Sequence, residues 1–115
     1  MKRPVTETES ALVRRMAERL PEAMRAQVLS DLNDAEVEPF NQDDSIVRFH
    51  IRGYVRPPGV GRETLPVAGK AVDRDGAYVE VALFSDENGR LYELELIRYE
   101  NGNLIAPDWN TLELY

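Results

Sequence analysis

Two hydrophobic periods run along this chain, and the change between them falls near residue 35. Up to that point apolar residues recur at helical spacing: Leu12, Val13, Met16 and Leu20, then Met24, Val28, Leu29 and Leu32. Thr6-Glu7-Thr8-Glu9 fits a capping box, with Thr6 as N-cap and Glu9 three residues on. Pro21 divides the two stripes, ending one helix and suited to the first turn of the next. Arg14, Arg15 and Arg19 lie off the first stripe, whereas Met16 and Met24 are expected in the core. Two short amphipathic helices in a row must bury their stripes against each other or against a sheet.

After the change the period is two. Residues 46–55 predict a strand with Val47, Phe49, Ile51 and Val55 inward and Arg48, His50, Arg52 and Tyr54 outward. Residues 56–66, with three prolines and two glycines, predict a loop, and residues 67–72 a weaker strand. Asp75-Gly76, Asn88-Gly89 and Asn101-Gly102 then bracket two more strands, as hairpin turns require. In the first, Val79, Val81 and Leu83 oppose Tyr78, Glu80, Ala82 and Phe84; in the second, Tyr92, Leu94 and Leu96 oppose Glu93 and Glu95. Leu104 and Ile105 are expected to continue the sheet or its margin. A turn at 107–110 with Trp109 as a packing lid and a short final strand at 111–115 complete the pattern. The expected fold is α+β: two N-terminal helices packed on one face of an antiparallel sheet of about five strands.

Composition adds boundaries. With 115 residues, 43% of them hydrophobic, the chain is one domain, helices at about 6–33 and sheet at about 36–115. It contains no cysteine, hence no disulfide and no thiolate metal site, and no apolar run near the roughly 20 residues that span a bilayer. The charged start Met1-Lys2-Arg3-Pro4 lacks a following apolar region, which leads to the expectation of a cytoplasmic protein. A net charge of −7 disfavours nucleic acid and anionic membrane and favours a basic protein partner; oligomeric state stays open.

The acidic residues concentrate at Asp31, Asp34, Glu36, Glu38, Asp43 and Asp44, with no Lys or Arg between them. Val37 and Phe40 can anchor a short edge strand ending near Pro39. The stretch reads either as a charge-guarded edge or as a patch that steers a basic partner. Catalytic candidates are few. His50 is the sole histidine, and Glu93 and Glu95, about 7 Å apart on one strand face, are expected to answer Arg48 and Arg52 in a cross-strand lattice. Gly59-Val60-Gly61-Arg62 lacks the spacing, the following helix and the Lys-Ser/Thr pair of a phosphate loop. No enzyme, cofactor or metal site is expected.

The run from Asp75-Gly76-Ala77-Tyr78 through Gly89-Arg90-Leu91-Tyr92-Glu93-Leu94-Glu95-Leu96 resembles a small uncharacterised bacterial family of helix-then-sheet domains. The likeness extends from Arg3-Pro4-Val5-Thr6 to Pro107 and is weakest in loop 56–66. It also resembles the setting of immunity proteins in bacterial toxin–immunity systems, including contact-dependent growth inhibition. Those proteins are small, acidic, cytoplasmic and cofactor-free. The resemblance implies binding to a basic toxin domain, a nuclease for example. Asp31, Asp34, Glu36, Glu38, Asp43 and Asp44 would speed encounter, with Phe40 and Tyr54 as anchors. The alternative is a small interaction or regulatory module that binds a house-keeping partner or itself.

Overall fold

The structure is a computed structural model that describes residues 1–58 and 62–115. The element order is β1 (Arg3–Pro4), α1 (Glu7–Ala17), α2 (Glu22–Asn33), β2 (Ala35–Pro39), β3 (Ile46–Ile51), β4 (Glu63–Val72), β5 (Tyr78–Ser85), β6 (Leu91–Arg98) and β7 (Asp108–Leu114). All strands join one antiparallel sheet in the order β1-β2-β3-β6-β5-β4-β7. The α+β class and the two N-terminal helices match the sequence pattern, but the sheet has seven strands rather than about five.

The first helix begins where capping chemistry places it, whereas α2 starts after Pro21 with no side-chain cap. The Thr6 side chain accepts the Glu9 N–H, and Glu9 accepts the Thr6 N–H in return at 2.9 Å. Glu9 is nearly buried and also holds Arg3 at 2.8 Å, which ties β1 to the first turn of α1. Both helices cover the same side of the sheet. Leu12, Val13, Met16, Val28 and Leu32 meet Val47, Phe49, Val81, Leu83, Leu91 and Leu94 in one core. Met24 departs from expectation: it is 43% exposed, because the apolar contacts of α2 are made by Val28 and Leu32 further along.

Several strand boundaries differ from those predicted by alternation, each for a local reason. The strand expected over 46–55 stops at Ile51, the chain turns at Arg52-Gly53, and Val55 is 90% exposed. β4 starts at Glu63, inside the expected loop. Pro66 is accommodated where the β4–β5 ladder is interrupted between Thr64 and Ala68, so its missing N–H leaves no hole there. Residues Gly59-Val60-Gly61 of the loop lie outside the described residues. Leu104 and Ile105 are not in a strand, and β7 begins at Asp108, within the expected turn.

The largest departure is in β6. Phe84 faces Glu93, but the next pair is Ser85 with Leu91, so Tyr92 is an extra, unpaired residue. This bulge resets the side-chain phase. Leu91 takes the core position and is fully buried, and Tyr92 leaves the face that it was expected to share with Leu94. Asp75-Gly76 and Asn88-Gly89 form the expected tight turns, with Gly76 at φ +91° and Gly89 at φ +75°.

Where β4 pairs with β7, leucine side chains of β7 pack closely over Gly69. A Cβ on Gly69 would lie 2.9 Å from Leu112 Cδ1, 3.2 Å from Leu114 Cδ2 and 3.3 Å from Val81 Cβ. Gly69→Ala is therefore expected to destabilise the domain by about 1–3 kcal/mol through overpacking. An unchanged urea midpoint would show that β7 shifts freely and that this contact is slack.

Candidate functional site

Alternation on each strand leaves one sheet face to the helices and the other open. The open face carries Glu36 and Glu38 from β2, His50 and Arg48 from β3, Glu93 and Glu95 from β6, and Phe84 and Glu80 from β5. Register puts Glu38 opposite Arg48, Arg48 opposite Glu93, and Lys70 opposite Glu80, so charges of opposite sign meet across strands.

The pairing differs in part from the predicted lattice. Arg48 does approach Glu93, at 3.7 Å. Arg52 instead lies 3.7 Å from Asp34, and Glu95 is held by Arg62, which also reaches Glu93 at 3.0 Å. Arg62 crosses the face from the start of β4, with its guanidinium 4.1 Å from the centre of the Phe84 ring. Glu93 and Glu95 are thus bound to a shared cation. His50 sits beside Glu38 at 2.8 Å, and the hydrogen bond from His50 holds the Glu38 carboxyl below its usual range. Among the described residues no three His, Cys, Asp or Glu side chains converge to hold a metal ion. Among the described residues no helix is long and apolar enough to cross a membrane.

A stack of alternating arginines and aromatic rings runs from this face to the end of the sheet. The Arg48 guanidinium lies 4.2 Å from the Phe40 ring and 4.8 Å from Tyr92. Arg56 lies 4.5 Å from Tyr92 and 5.6 Å from Tyr54, and Arg90 lies 4.2 Å from Tyr54. The bulge at Tyr92 makes the stack continuous by turning that ring outward. Contacts of this kind contribute about 0.5–2 kcal/mol each, more where water is excluded.

The residues proposed from sequence as partner contacts are divided by the structure between fold and surface. Asp31 is 1% exposed: Arg90 grips it through Nε and Nη2, and it accepts the Leu91 N–H at 3.0 Å and Gln27 Nε2 at 3.0 Å. It serves the fold and cannot steer a partner. Tyr54 is half-buried between Arg56 and Arg90, and its hydroxyl donates to Asp86 at 2.6 Å. Burial and that bond push the Tyr54 hydroxyl up. Asp43 accepts the N–H groups of Ser45 and Leu104, and Asp44, at φ +56°, lies 3.4 Å from Arg3. Asp34, at the end of α2, and Glu36 and Glu38 on β2 remain at or near the surface, leading to Phe40, which is 49% exposed.

Sequence reading missed two buried carboxylates, Asp73 and Asp86. Each opens a hairpin turn of the same spelling, Asp73-Arg74-Asp75-Gly76 and Asp86-Glu87-Asn88-Gly89, and that repeated Asp-x-Asp/Asn-Gly was the available signal. Asp86 accepts the N–H groups of Asn88 and Arg90 and the Arg56 guanidinium at 2.7 Å. Asp73 accepts those of Arg74, Ile105 and Ala106, and Arg98 at 2.8 Å. Burial acts to raise both carboxyls, but these donors outweigh it and hold both below the ordinary carboxylate range. Hydrogen bonds from Arg98 bring Asp75 to about 2.

Because the folded values are depressed, this stabilisation is fully present above the unfolded carboxyl value, about 3.9, and is lost as pH falls through the folded values. Urea midpoints are expected to be flat from neutral pH to about pH 5 and to drop between about pH 4 and 2. Asp86→Asn is expected to cost about 3–5 kcal/mol at neutral pH, since it leaves Arg56 without its countercharge, and to make the acid decline shallower. An equally steep decline in the variant would remove Asp86 from the account.

Comparison with known proteins adds a family and no chemistry. A family model described as a domain of unknown function, DUF6984, matches residues 2–107. No curated protein and no solved structure matches the chain. The match covers nearly the whole chain, from β1 to the residue before β7, and the chain belongs to the DUF6984 family.

Proposed function

We propose that this domain acts by binding and not by catalysis, docking a basic protein partner against the open sheet face at its β2 end. In its most specific form the proposal is an immunity protein of the bacterial cytoplasm that neutralises a cognate toxin domain, a nuclease for example, without a cofactor. The observation that carries it is Phe40. Its ring is half-exposed and packs against the Arg48 guanidinium, while the Phe40 backbone N–H, bonded to the Ile46 carbonyl at 2.9 Å, holds the main chain there. An aromatic anchor already held in place loses little freedom on binding, which is how a few residues come to dominate an interface. Asp34, at the end of α2, and Glu36 and Glu38 on β2 lead up to it and supply the charge that speeds encounter with a cation-rich surface. The arginine-bound state of Glu93 and Glu95 favours binding over acid–base chemistry on the same face.

The other end of the open face supports a second reading, an interaction or regulatory module with a house-keeping partner. Tyr78, Ile97 and Tyr99 are half-exposed there around Glu80, which accepts the Tyr99 hydroxyl. A contact through those residues would leave Phe40 and β2 free.

Affinity capture with this protein as bait, eluted in rising salt, separates the two. The first reading expects one basic toxin domain, encoded beside this gene, whose activity falls when the protein is added. Phe40→Ala is expected to weaken that complex at least tenfold, about 1.4 kcal/mol, and charge reversal at Asp34, Glu36 and Glu38 to slow association and flatten its salt dependence. A partner whose binding ignores all four substitutions would overturn the β2-end proposal.

A further inference from the structure

The two edges of the sheet are β1 and β7. β1 is two residues long and includes Pro4, so it offers almost no backbone for another strand to pair with. β7 has seven residues and no proline or lysine. Its first half bulges away from β4, between the Lys70–Glu113 and Val72–Asp108 pairs, leaving residues 112–114 as its regular part. Tyr115 exchanges both backbone hydrogen bonds with Ala68, at 2.8 and 2.9 Å, and residues two apart on a strand point the same way. Glu113 therefore faces β4, while the N–H and C=O groups of Leu112 and Leu114 face outward.

Those outward carbonyls are covered from within the chain. Arg15 Nη1 donates to the Trp109 carbonyl at 3.1 Å and Arg15 Nη2 to the Leu112 carbonyl at 3.4 Å. Arg19 Nη2 donates to the Leu114 carbonyl at 3.2 Å. Both arginines come from α1 and its C-terminal turn, off the apolar stripe, and no carboxylate pairs with either among the described residues.

We infer that Arg15 and Arg19 close the β7 edge against a second copy of this chain. An edge whose outward groups alternate donor and acceptor is self-complementary. Two copies related by a two-fold axis at Glu113 would pair Leu112 of each with Leu114 of the other. The guanidinium groups occupy the acceptors that this pairing needs. The same axis would set Glu113 against its own copy, a like-charge contact that adds to the block. The edge is thus guarded by capped carbonyls and one charge, in place of the proline that guards β1.

The test is the mass in solution, over a concentration series, of the wild-type chain, of R15Q/R19Q and of R15Q/R19Q/E113Q, with amide hydrogen exchange read at Leu112 and Leu114. The wild type is expected to be monomeric with both amides exchanging fast. The triple variant is expected to reach twice that mass, with both amides protected at least tenfold, and R15Q/R19Q to fall between. A triple variant with wild-type circular dichroism that stays monomeric overturns the inference. So does a dimer that leaves these amides unprotected, or a wild type already paired through them. Should the triple variant not fold, Arg19→Gln with Glu113→Gln changes only exposed groups and is expected to dimerise weakly; a strictly monomeric result there overturns the inference equally.

Discussion

A carboxylate removed from water is costly unless it is matched by charge and hydrogen bonds, and three such groups shape this domain. Asp31, Asp73 and Asp86 are each at most 2% exposed, and each is matched by one arginine: Arg90, Arg98 and Arg56. None of these pairs joins neighbours in a strand ladder. Asp31–Arg90 ties α2 to the β5–β6 turn, Asp86–Arg56 brings the chain after β3 to the same turn, and Asp73–Arg98 fastens the β4–β5 turn to the end of β6. Hydrophobic burial drives the collapse, but it is non-directional. The buried pairs specify which turn meets which segment, because a wrong docking would strand a charge.

This arrangement also governs what the surface can do. Five arginines of the sheet region, Arg48, Arg56, Arg62, Arg90 and Arg98, are committed to carboxylates within the fold. Along β2, Glu38 lies opposite Arg48 and beside His50, and Asp34, just before the strand, lies near the exposed Arg52, while Glu36 makes no ion pair among the described residues. Phe40 lies just past the end of that strand, with its ring against the Arg48 guanidinium.

Much of the fold was legible because it depends on local rules. The capping box at Thr6, the helical stripe through Leu12 and Met16, the strict alternation of Val79, Val81 and Leu83, and the turn glycines all appear where short-range patterns put them. What was not legible depends on pairing across distance. Nothing local marks Tyr92 as a bulge, since the shift arises from joining a regular β5 to a turn that fixes Leu91 against Asp31. Nothing local separates Asp31 from Asp34 either: both close α2, and only the position of Arg90, far along the chain, buries one and leaves the other at the surface. The candidate site was legible to the same extent. Its strand and its acids could be read, but the division between structural and available carboxylates could not.

The stack from Phe40 to Arg90 connects these two scales. Its exposed end is a ring suited to contact, and its buried end is the Asp31 carboxylate on α2, with Arg48, Tyr92, Arg56, Tyr54 and Arg90 between. Each guanidinium in the middle is fixed twice, by a ring and by an ion pair or a backbone carbonyl; Arg56 also donates to Phe49 and Leu91 at 2.7 and 3.1 Å. Long arginine side chains on a sheet surface would ordinarily lose conformational entropy when a partner settles on them. Here that loss is already incurred on folding and offset by the buried pairs. In the proposed interface the rings and guanidinium groups beneath Phe40 are already packed before a partner arrives, so less affinity is spent on ordering them.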